Sequence, residues 1–128
     1  MADLVVLDTH ALIWWTSDRS RLGRKARAAI DAAEHVGIPS ISFWEVALLT
    51  RKRQLTLGLA AEDWAALVLA IPRVMELPLT AAIAIRADGL AMHDDPADRF
   101  IASTALLHGP LVTKDALLQK LPGLTTLW

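Results

Sequence analysis

The feature that most constrains the fold of this chain is a regular alternation of short β-type segments with segments of helical periodicity. The first β-type segment, "LVVLD" at residues 4–8, is an apolar run that ends in a carboxylate, and it has the character of a fully buried strand. Further strands are predicted at residues 36–42, 73–77, 109–113 and 123–128. Helices are predicted near residues 12–15 and over 22–33, 43–51, 61–70, 80–90, 96–108 and 115–120.

This alternation predicts the fold class. Strands separated by helices are joined by right-handed crossovers and form a mostly parallel sheet that helices cover on both faces. We therefore predict a three-layer α/β/α sandwich with a central sheet of four to five strands. The chain has 128 residues, 54% of them hydrophobic, which is enough for a core, and we expect a single domain over residues 1–128.

Charge and targeting signals narrow the function classes. The 13 basic and 14 acidic side chains give no overall basic footprint, although basic residues cluster at 19–27 and 51–53. Either cluster is most simply a solvated helix face, with phosphate contact as the alternative. The chain has no cysteine, its start lacks a basic signal-peptide region, and no apolar run approaches the roughly 18 residues needed to cross a bilayer. We expect a soluble cytoplasmic protein without membrane contact.

Four acidic side chains fall at predicted strand-to-helix junctions, where ligands bind in open parallel sheets. Asp8 ends the first strand, and Glu45 lies past the second strand in the first turn of the next helix. Asp98 lies in the first turn of the helix that begins near Pro96, and Asp115 follows the fourth strand. Asp8 is the most informative of the four, because a charged end to an apolar central strand has little structural purpose.

The other three acids each have a structural alternative. Ser42 and Glu45 have the spacing of a capping box, in which the glutamate accepts a hydrogen bond from the Ser42 backbone amide. Asp115 could be a plain N-cap, and Asp98 could favour the positive end of its helix dipole. A doubly wound sheet brings several such junctions to one edge, however, and this favours a shared site.

Carboxylates that share an edge repel one another, and burial raises their pKa unless a cation compensates. Hard oxygen ligands with little histidine suit Mg²⁺ or Mn²⁺. Such a site suits phosphodiester hydrolysis, in which one or two ions orient the phosphate and lower the pKa of an attacking water.

The segment "HDDPADRF" at residues 93–100 contains three aspartates that we expect to differ in role. Asp95 precedes Pro96, a residue suited to the first helical position, and is the predicted N-cap. Asp98 is then the third helical residue and is predicted to turn toward the cleft. Asp94 is predicted to face solvent, with contact to a second metal ion as the alternative. His93 and His10 each adjoin a predicted ligand and could approach the metal, although solvent exposure or local hydrogen bonding is the simpler role for each.

Five segments in chain order carry a family resemblance: "VVLDTHALIWW", "SISFWEVALLTRKRQL", "LPLTAAIAIRA", "DPADRFIASTALLHGPLVTKD" and "LPGLTTLW". Together they resemble the PIN-domain ribonucleases that serve as VapC toxins of toxin–antitoxin pairs. The resemblance covers nearly the whole chain. It implies a Mg²⁺- or Mn²⁺-dependent endoribonuclease that cuts structured RNA through a metal-activated water. It also implies a VapB-like antitoxin that covers the active site and, usually, a homodimer.

The resemblance also implies roles for particular residues. The family's metal-binding and catalytic acids fall on four positions: Asp8, Glu45, Asp98 and Asp115. The small hydroxyl residue often found near the fourth acid corresponds to Thr113, and we expect Thr9 as a second supporting hydroxyl. No acid of the pattern is missing.

Two further groups of residues bear on partners. If the helix that carries Glu45 borders the site, the better candidate for RNA contact is the cluster at its end, Arg51, Lys52 and Arg53. Arg99 is expected on another helical face, where ion pairing and RNA contact are both open. The adjacent Trp14 and Trp15 cannot both face one core, so one of them is a candidate for an apolar partner surface.

Alternatives to a ribonuclease are a metal-dependent DNA nuclease or phosphatase, a receiver-like signalling module and a catalytically idle binding protein. A receiver needs an aspartate at the end of its third strand, and "RVMELPLT" at residues 73–80 has none.

Overall fold

The computed structural model describes residues 3–128 and contains one sheet of five parallel strands. The strands are β1 (Leu4–Leu7), β2 (His35–Pro39), β3 (Val74–Leu77), β4 (Leu111–Val112) and β5 (Thr126–Leu127), and their spatial order is β3-β2-β1-β4-β5. The helices are α1 (Thr9–Ser17), α2 (Arg24–Ala32), α3 (Ser40–Arg51), α4 (Ala61–Leu69), α5 (Ala81–Asp88), α6 (Pro96–His108) and α7 (Ala116–Gln119), with a 3₁₀ turn at Arg19–Arg21. The predicted α/β/α class is confirmed.

The central strand β1 separates two hydrophobic cores because its side chains alternate between the faces of the sheet. Val5 and Leu7 pack with apolar residues of α1 and α2, whereas Val6 packs with residues of α6. All three side chains are fully or almost fully buried. Burial of each stabilises the fold by about 1.5–3 kcal/mol. The strand is therefore fixed from both sides, and so is the position of the residue that follows it.

The register brings the carboxyl ends of β1 and β4 together. Leu7 pairs with Val112, and the backbone amide of Asp8 donates to the Val112 carbonyl oxygen at 3.2 Å. The residues that follow the two strands, Asp8 and Thr113, therefore begin side by side at one edge of the sheet.

The boundary between β2 and α3 differs from the prediction. The predicted strand reached residue 42, but β2 ends at Pro39, and α3 begins at Ser40 instead of residue 43. The hydroxyl of Ser40 donates to Glu76 Oε2 at 2.8 Å and approaches the Leu77 carbonyl oxygen at 3.3 Å, so this side chain is bonded to β3 as the helix starts.

The other elements lie where they were predicted, but their ends differ by a few residues. The helix predicted near 12–15 runs from Thr9 to Ser17, and the strands predicted at 109–113 and 123–128 are reduced to two residues each. None of the helices formed by residues 3–128 combines the length and apolar character needed to cross a bilayer.

Candidate active site

A cavity of about 580 Å³ opens at the carboxyl edge of the sheet, and all four predicted acids border it. Its lining residues are Asp8, Thr9, His10, Trp14, Glu45, Asp95, Asp98, Ile101, Lys114 and Asp115. The lining combines residues from the ends of β1 and β4 with residues of α1, α3 and α6.

Asp8 is the most buried of these acids, with 8% of its surface exposed. Its Oδ1 accepts a hydrogen bond from the Ala11 backbone amide at 2.8 Å and so caps α1, while its Oδ2 accepts from the Thr113 hydroxyl. Burial raises the pKa of Asp8 above its usual value, although the hydrogen bonds from Thr113 and Ala11 lower it. The carboxyl group is thus both a helix cap and part of the cavity wall.

Glu45 lies in the second turn of α3, where its Oε1 accepts a hydrogen bond from the Thr9 hydroxyl at 2.5 Å. The capping box with Ser42, which was the structural alternative for Glu45, is not formed, because α3 begins three residues earlier than predicted and Ser42 lies inside it, fully buried. Ser42 Oγ lies 3.2 Å from Thr9 Oγ1 instead. Burial raises the pKa of Glu45, and the nearby charges of Asp98 and Asp95 raise it further.

The start of α6 matches its prediction. Asp95 is the N-cap, with Oδ1 accepting from the Asp98 backbone amide at 3.1 Å, and Pro96 occupies the first helical position. Asp98 turns its own side chain toward the cavity, where Oδ2 lies 2.7 Å from Nε2 of His93. Burial raises the pKa of Asp98, opposed by the hydrogen bond to His93. Asp94 is fully exposed, as predicted.

Asp115 is an N-cap and a cavity residue at once. Its Oδ1 accepts from the backbone amides of Leu117 at 2.8 Å and Leu118 at 3.4 Å, which caps α7. Its own amide donates to Thr113 Oγ1 at 3.0 Å. The fully buried Thr113 hydroxyl therefore joins Asp115 to Asp8 across the ends of β4 and β1.

The donor chemistry of the cavity fits Mg²⁺ or Mn²⁺, because the acids supply only carboxylate oxygens and three of them have raised pKa values that a cation would reverse. Within residues 3–128, no three acidic, histidine or cysteine side chains converge closely enough to hold an ion. Each carboxyl group is instead turned to its own hydrogen-bond partner. These bonds join Asp8 to Ala11 and Thr113, Glu45 to Thr9, Asp98 to His93, and Asp115 to the first turn of α7.

Arg99 supports the loop that carries His93. Its guanidinium donates to four carbonyl oxygens, those of Met92 at 2.7 Å, His93 at 3.0 Å, Ala87 at 3.0 Å and Asp88 at 3.1 Å. It also forms an ion pair with Asp94 at 3.3 Å. Of the two roles left open for Arg99, the structure displays ion pairing. The side chain does not border the acidic cavity.

The structure separates the remaining candidates. Arg51, Lys52 and Arg53 are exposed at the end of α3 and are not among the residues that line the cavity. Trp15 is buried in the core, whereas Trp14 lies half-buried at the cavity wall instead of on an open apolar surface. Sequence reasoning missed Lys114, although its place directly after the predicted strand at 109–113 is the same signal that identified Asp115.

The structure thus defines the chain as an α/β/α protein with a parallel sheet and an acidic cavity at the carboxyl ends of the strands. The family model of the PIN domain matches residues 5–124. The chain belongs to the PIN-domain family. Ribonuclease VapC22 of Mycobacterium tuberculosis is 34% identical over 129 residues, covering 97% of this chain and 98% of that protein, and places the chain among the VapC-type members.

Solved structures share the fold at lower identity. VapBC2 from Rickettsia felis, bound to a DNA fragment from its promoter, matches with a TM-score of 0.69 at 16% identity over 96% of both chains. A toxin–antitoxin complex from Klebsiella pneumoniae matches with a TM-score of 0.66 at 23% identity, over 95% of this chain and 96% of that chain. FitAcB from Neisseria gonorrhoeae gives 0.57 at 22% identity over 95% of both.

Proposed function

We propose that this chain is a single PIN-like nuclease domain, the toxin of a toxin–antitoxin pair, that hydrolyses RNA with the help of Mg²⁺ or Mn²⁺. The main observation behind this proposal is that four acidic side chains line one cavity: Asp8, Glu45, Asp98 and Asp115. Membership of the PIN-domain family and the ribonuclease name of the relative VapC22 support it. A cytoplasmic location remains a prediction.

The chain's own residues prepare the site for an anionic substrate and a cation. In the proposed mechanism Asp8, Glu45, Asp98 and Asp115 would hold a metal ion, which would supply positive charge to lower the pKa of an attacking water and to stabilise the leaving oxygen. The hydrogen bonds from Thr113 to Asp8 and from Thr9 to Glu45 restrict the rotamers of these two carboxyl groups.

His93 restrains Asp98 in the same way, and Arg99 holds the loop of His93 through the four carbonyl contacts described above. Arg99 is therefore proposed as a positioning residue. No side chain is required as a nucleophile.

The direct test is incubation of the purified chain with total cellular RNA and Mn²⁺, with and without EDTA, followed by mapping of the cut ends. We expect discrete cuts that EDTA abolishes and that are lost in Asp98→Asn. Single-stranded DNA serves as the comparison substrate. Cleavage of DNA alone would refute the RNA assignment, and cleavage of neither by the wild-type chain would refute nuclease activity.

We propose a VapB-like antitoxin as the partner. The solved relatives VapBC2 and the Klebsiella pneumoniae protein are toxin–antitoxin complexes, which supports this partner class. We also propose a homodimer. Light scattering of the purified chain would test the dimer, and a mass of one chain at all concentrations would exclude it.

A further inference from the structure

The cavity is strongly acidic, so an RNA that binds there needs positively charged groups close to its phosphates. Five carboxyl groups border the cavity, those of Asp8, Glu45, Asp95, Asp98 and Asp115. A metal ion offsets charge at the scissile phosphate, but the neighbouring phosphates must be met by protein cations. Among the lining residues of the described chain, Lys114 is the only lysine or arginine.

Lys114 shares an aromatic ring with a second cation from a distant part of the chain. Its Nζ lies 5.9 Å from the centroid of the Trp14 ring, and Cζ of Arg21 lies 4.8 Å from the same ring. Both cationic side chains are exposed, and Trp14 itself borders the cavity. The attraction between a cation and the face of an aromatic ring biases each flexible side chain toward a position beside Trp14.

The ring is held by packing and does not depend on the cations for its position. Trp14 meets the ring of Trp128 edge-on, with centroids 5.7 Å apart. Trp128 in turn packs closely against Gly23: a Cβ added at Gly23 would lie 2.6 Å from the backbone carbonyl carbon of Trp128. The ring thus presents Lys114 and Arg21 at a fixed place, which lowers the entropic cost of using them to bind a ligand.

We infer that Lys114 and Arg21, both held at the ring of Trp14, form a phosphate-binding subsite through which RNA runs out of the acidic cavity; this rests on the proposed ribonuclease function. Arg21 belongs to the basic cluster at residues 19–27, whose cations are all exposed. The part of the RNA beyond the cleaved bond therefore runs from the cavity past Trp14 toward this basic cluster. The cluster at Arg51–Arg53 has no comparable link to the cavity.

The test is RNA binding in EDTA, which separates binding from cleavage. A short labelled single-stranded RNA is titrated by fluorescence anisotropy over a series of salt concentrations, with the wild type and the double variant Arg21→Ala/Lys114→Ala. For single strands the slope of log K against log[salt] is negative, and each lost phosphate contact reduces its magnitude by about 0.7, so the double variant should have a slope about 1.4 less steep than the wild type. The matched control is Arg86→Ala/Lys120→Ala, which removes the same charge from exposed positions that do not line the cavity.

Equal slopes for the double variant and the control would overturn the inference. Trp14→Phe keeps an aromatic ring and should keep the wild-type slope. Trp14→Leu should weaken RNA binding although both cations are still present. Normal RNA binding by Trp14→Leu, with a melting curve that shows this variant to be folded, would refute the role of the ring. In cleavage assays the double variant should raise KM with little change in kcat.

Two further outcomes are distinguished by design. If the wild type cleaves no RNA, the proposed function fails, whereas normal cleavage with an unchanged double variant refutes the subsite alone. A labelled decaglutamate peptide tests for an acidic protein segment as the occupant. If the double variant loses affinity for the peptide but keeps the wild-type affinity for RNA, the occupant is an acidic protein segment and the RNA subsite is refuted.

Discussion

Replacement of Asp8 tests the site and its support together, because the carboxyl group caps α1, accepts from Thr113 and borders the cavity. Asp8→Asn keeps an oxygen for the Ala11 amide, and asparagine is as good an N-cap as aspartate. Asp8→Ala keeps neither hydrogen bond. Both variants remove the buried negative charge, so the difference between them isolates the hydrogen bonds.

The size of that difference follows from the structure. Loss of the cap in Asp8→Ala costs about 1 kcal/mol. In Asp8→Asn the side-chain NH2 replaces Oδ2 and can donate to Thr113 Oγ1, so Thr113 keeps a hydrogen-bond partner. In Asp8→Ala the fully buried Thr113 hydroxyl has no partner at this position, which costs on the order of 1 kcal/mol more. We expect Asp8→Ala to be less stable than Asp8→Asn by about 2 kcal/mol, which corresponds to about 8 °C in Tm for a chain of this length.

The metal dependence of melting gives the second measurement. In EDTA, Asp8→Asn should melt at or above the wild-type temperature, because burial disfavours the charged form of Asp8. An ion present at ten times its Kd should stabilise the wild type by about 1.4 kcal/mol and leave Asp8→Asn unaffected. RNA cleavage by Asp8→Asn should be lost.

The assay is thermal denaturation followed by circular dichroism, with EDTA or with a Mn²⁺ series, on the wild type and the two variants. Equal Tm values for Asp8→Asn and Asp8→Ala would refute the hydrogen-bond reasoning. Stabilisation of Asp8→Asn by Mn²⁺ equal to that of the wild type would refute a metal-binding role for Asp8.

Three further predictions concern pH, loop support and packing. The folded-state pKa values of Asp8, Glu45 and Asp98 are raised, so the stability that their protonation contributes is complete below their usual values of 3.8, 4.5 and 3.8 and is lost as the pH rises through the raised values. The Tm of the metal-free protein should therefore fall as the pH rises above 4.5, and it should fall less steeply in Asp8→Asn. A Tm that rises equally in both proteins would contradict this. Arg99→Ala should lower the free energy of urea unfolding by about 2–3 kcal/mol. Arg99→Lys should restore little of this loss, because an ammonium group lacks the planar guanidinium that donates to several carbonyl oxygens at once. Full rescue by lysine would show that charge alone matters. Gly109→Ala should destabilise by about 1–3 kcal/mol, since its Cβ would lie 2.5 Å from the Leu4 carbonyl oxygen, whereas Gly89→Ala, with its nearest atom at 3.6 Å, should be tolerated; similar Tm values for the two would refute the clash.

The sequence by itself determined the order of the elements and which acids lie at the carboxyl edge of the sheet. Apolar runs and helical periodicity are local patterns, and a parallel sheet built from them must gather its strand ends at one edge. Asp8, Asp98 and Asp115 could therefore be placed at one edge of the sheet without coordinates, and the structure shows that they border one cavity. The cap at Asp95 was equally local, because it depends only on the proline that follows and the amide three residues on.

Only the tertiary structure decided the roles that depend on partners far away in the chain. Glu45 is held by Thr9 of another helix instead of the local partner Ser42, because α3 begins earlier than its own residues indicate. Arg21 and Lys114 are separated by most of the chain, yet they meet at Trp14. Periodicity records which face of an element is buried, but it carries no information about which side chain of another element will lie opposite.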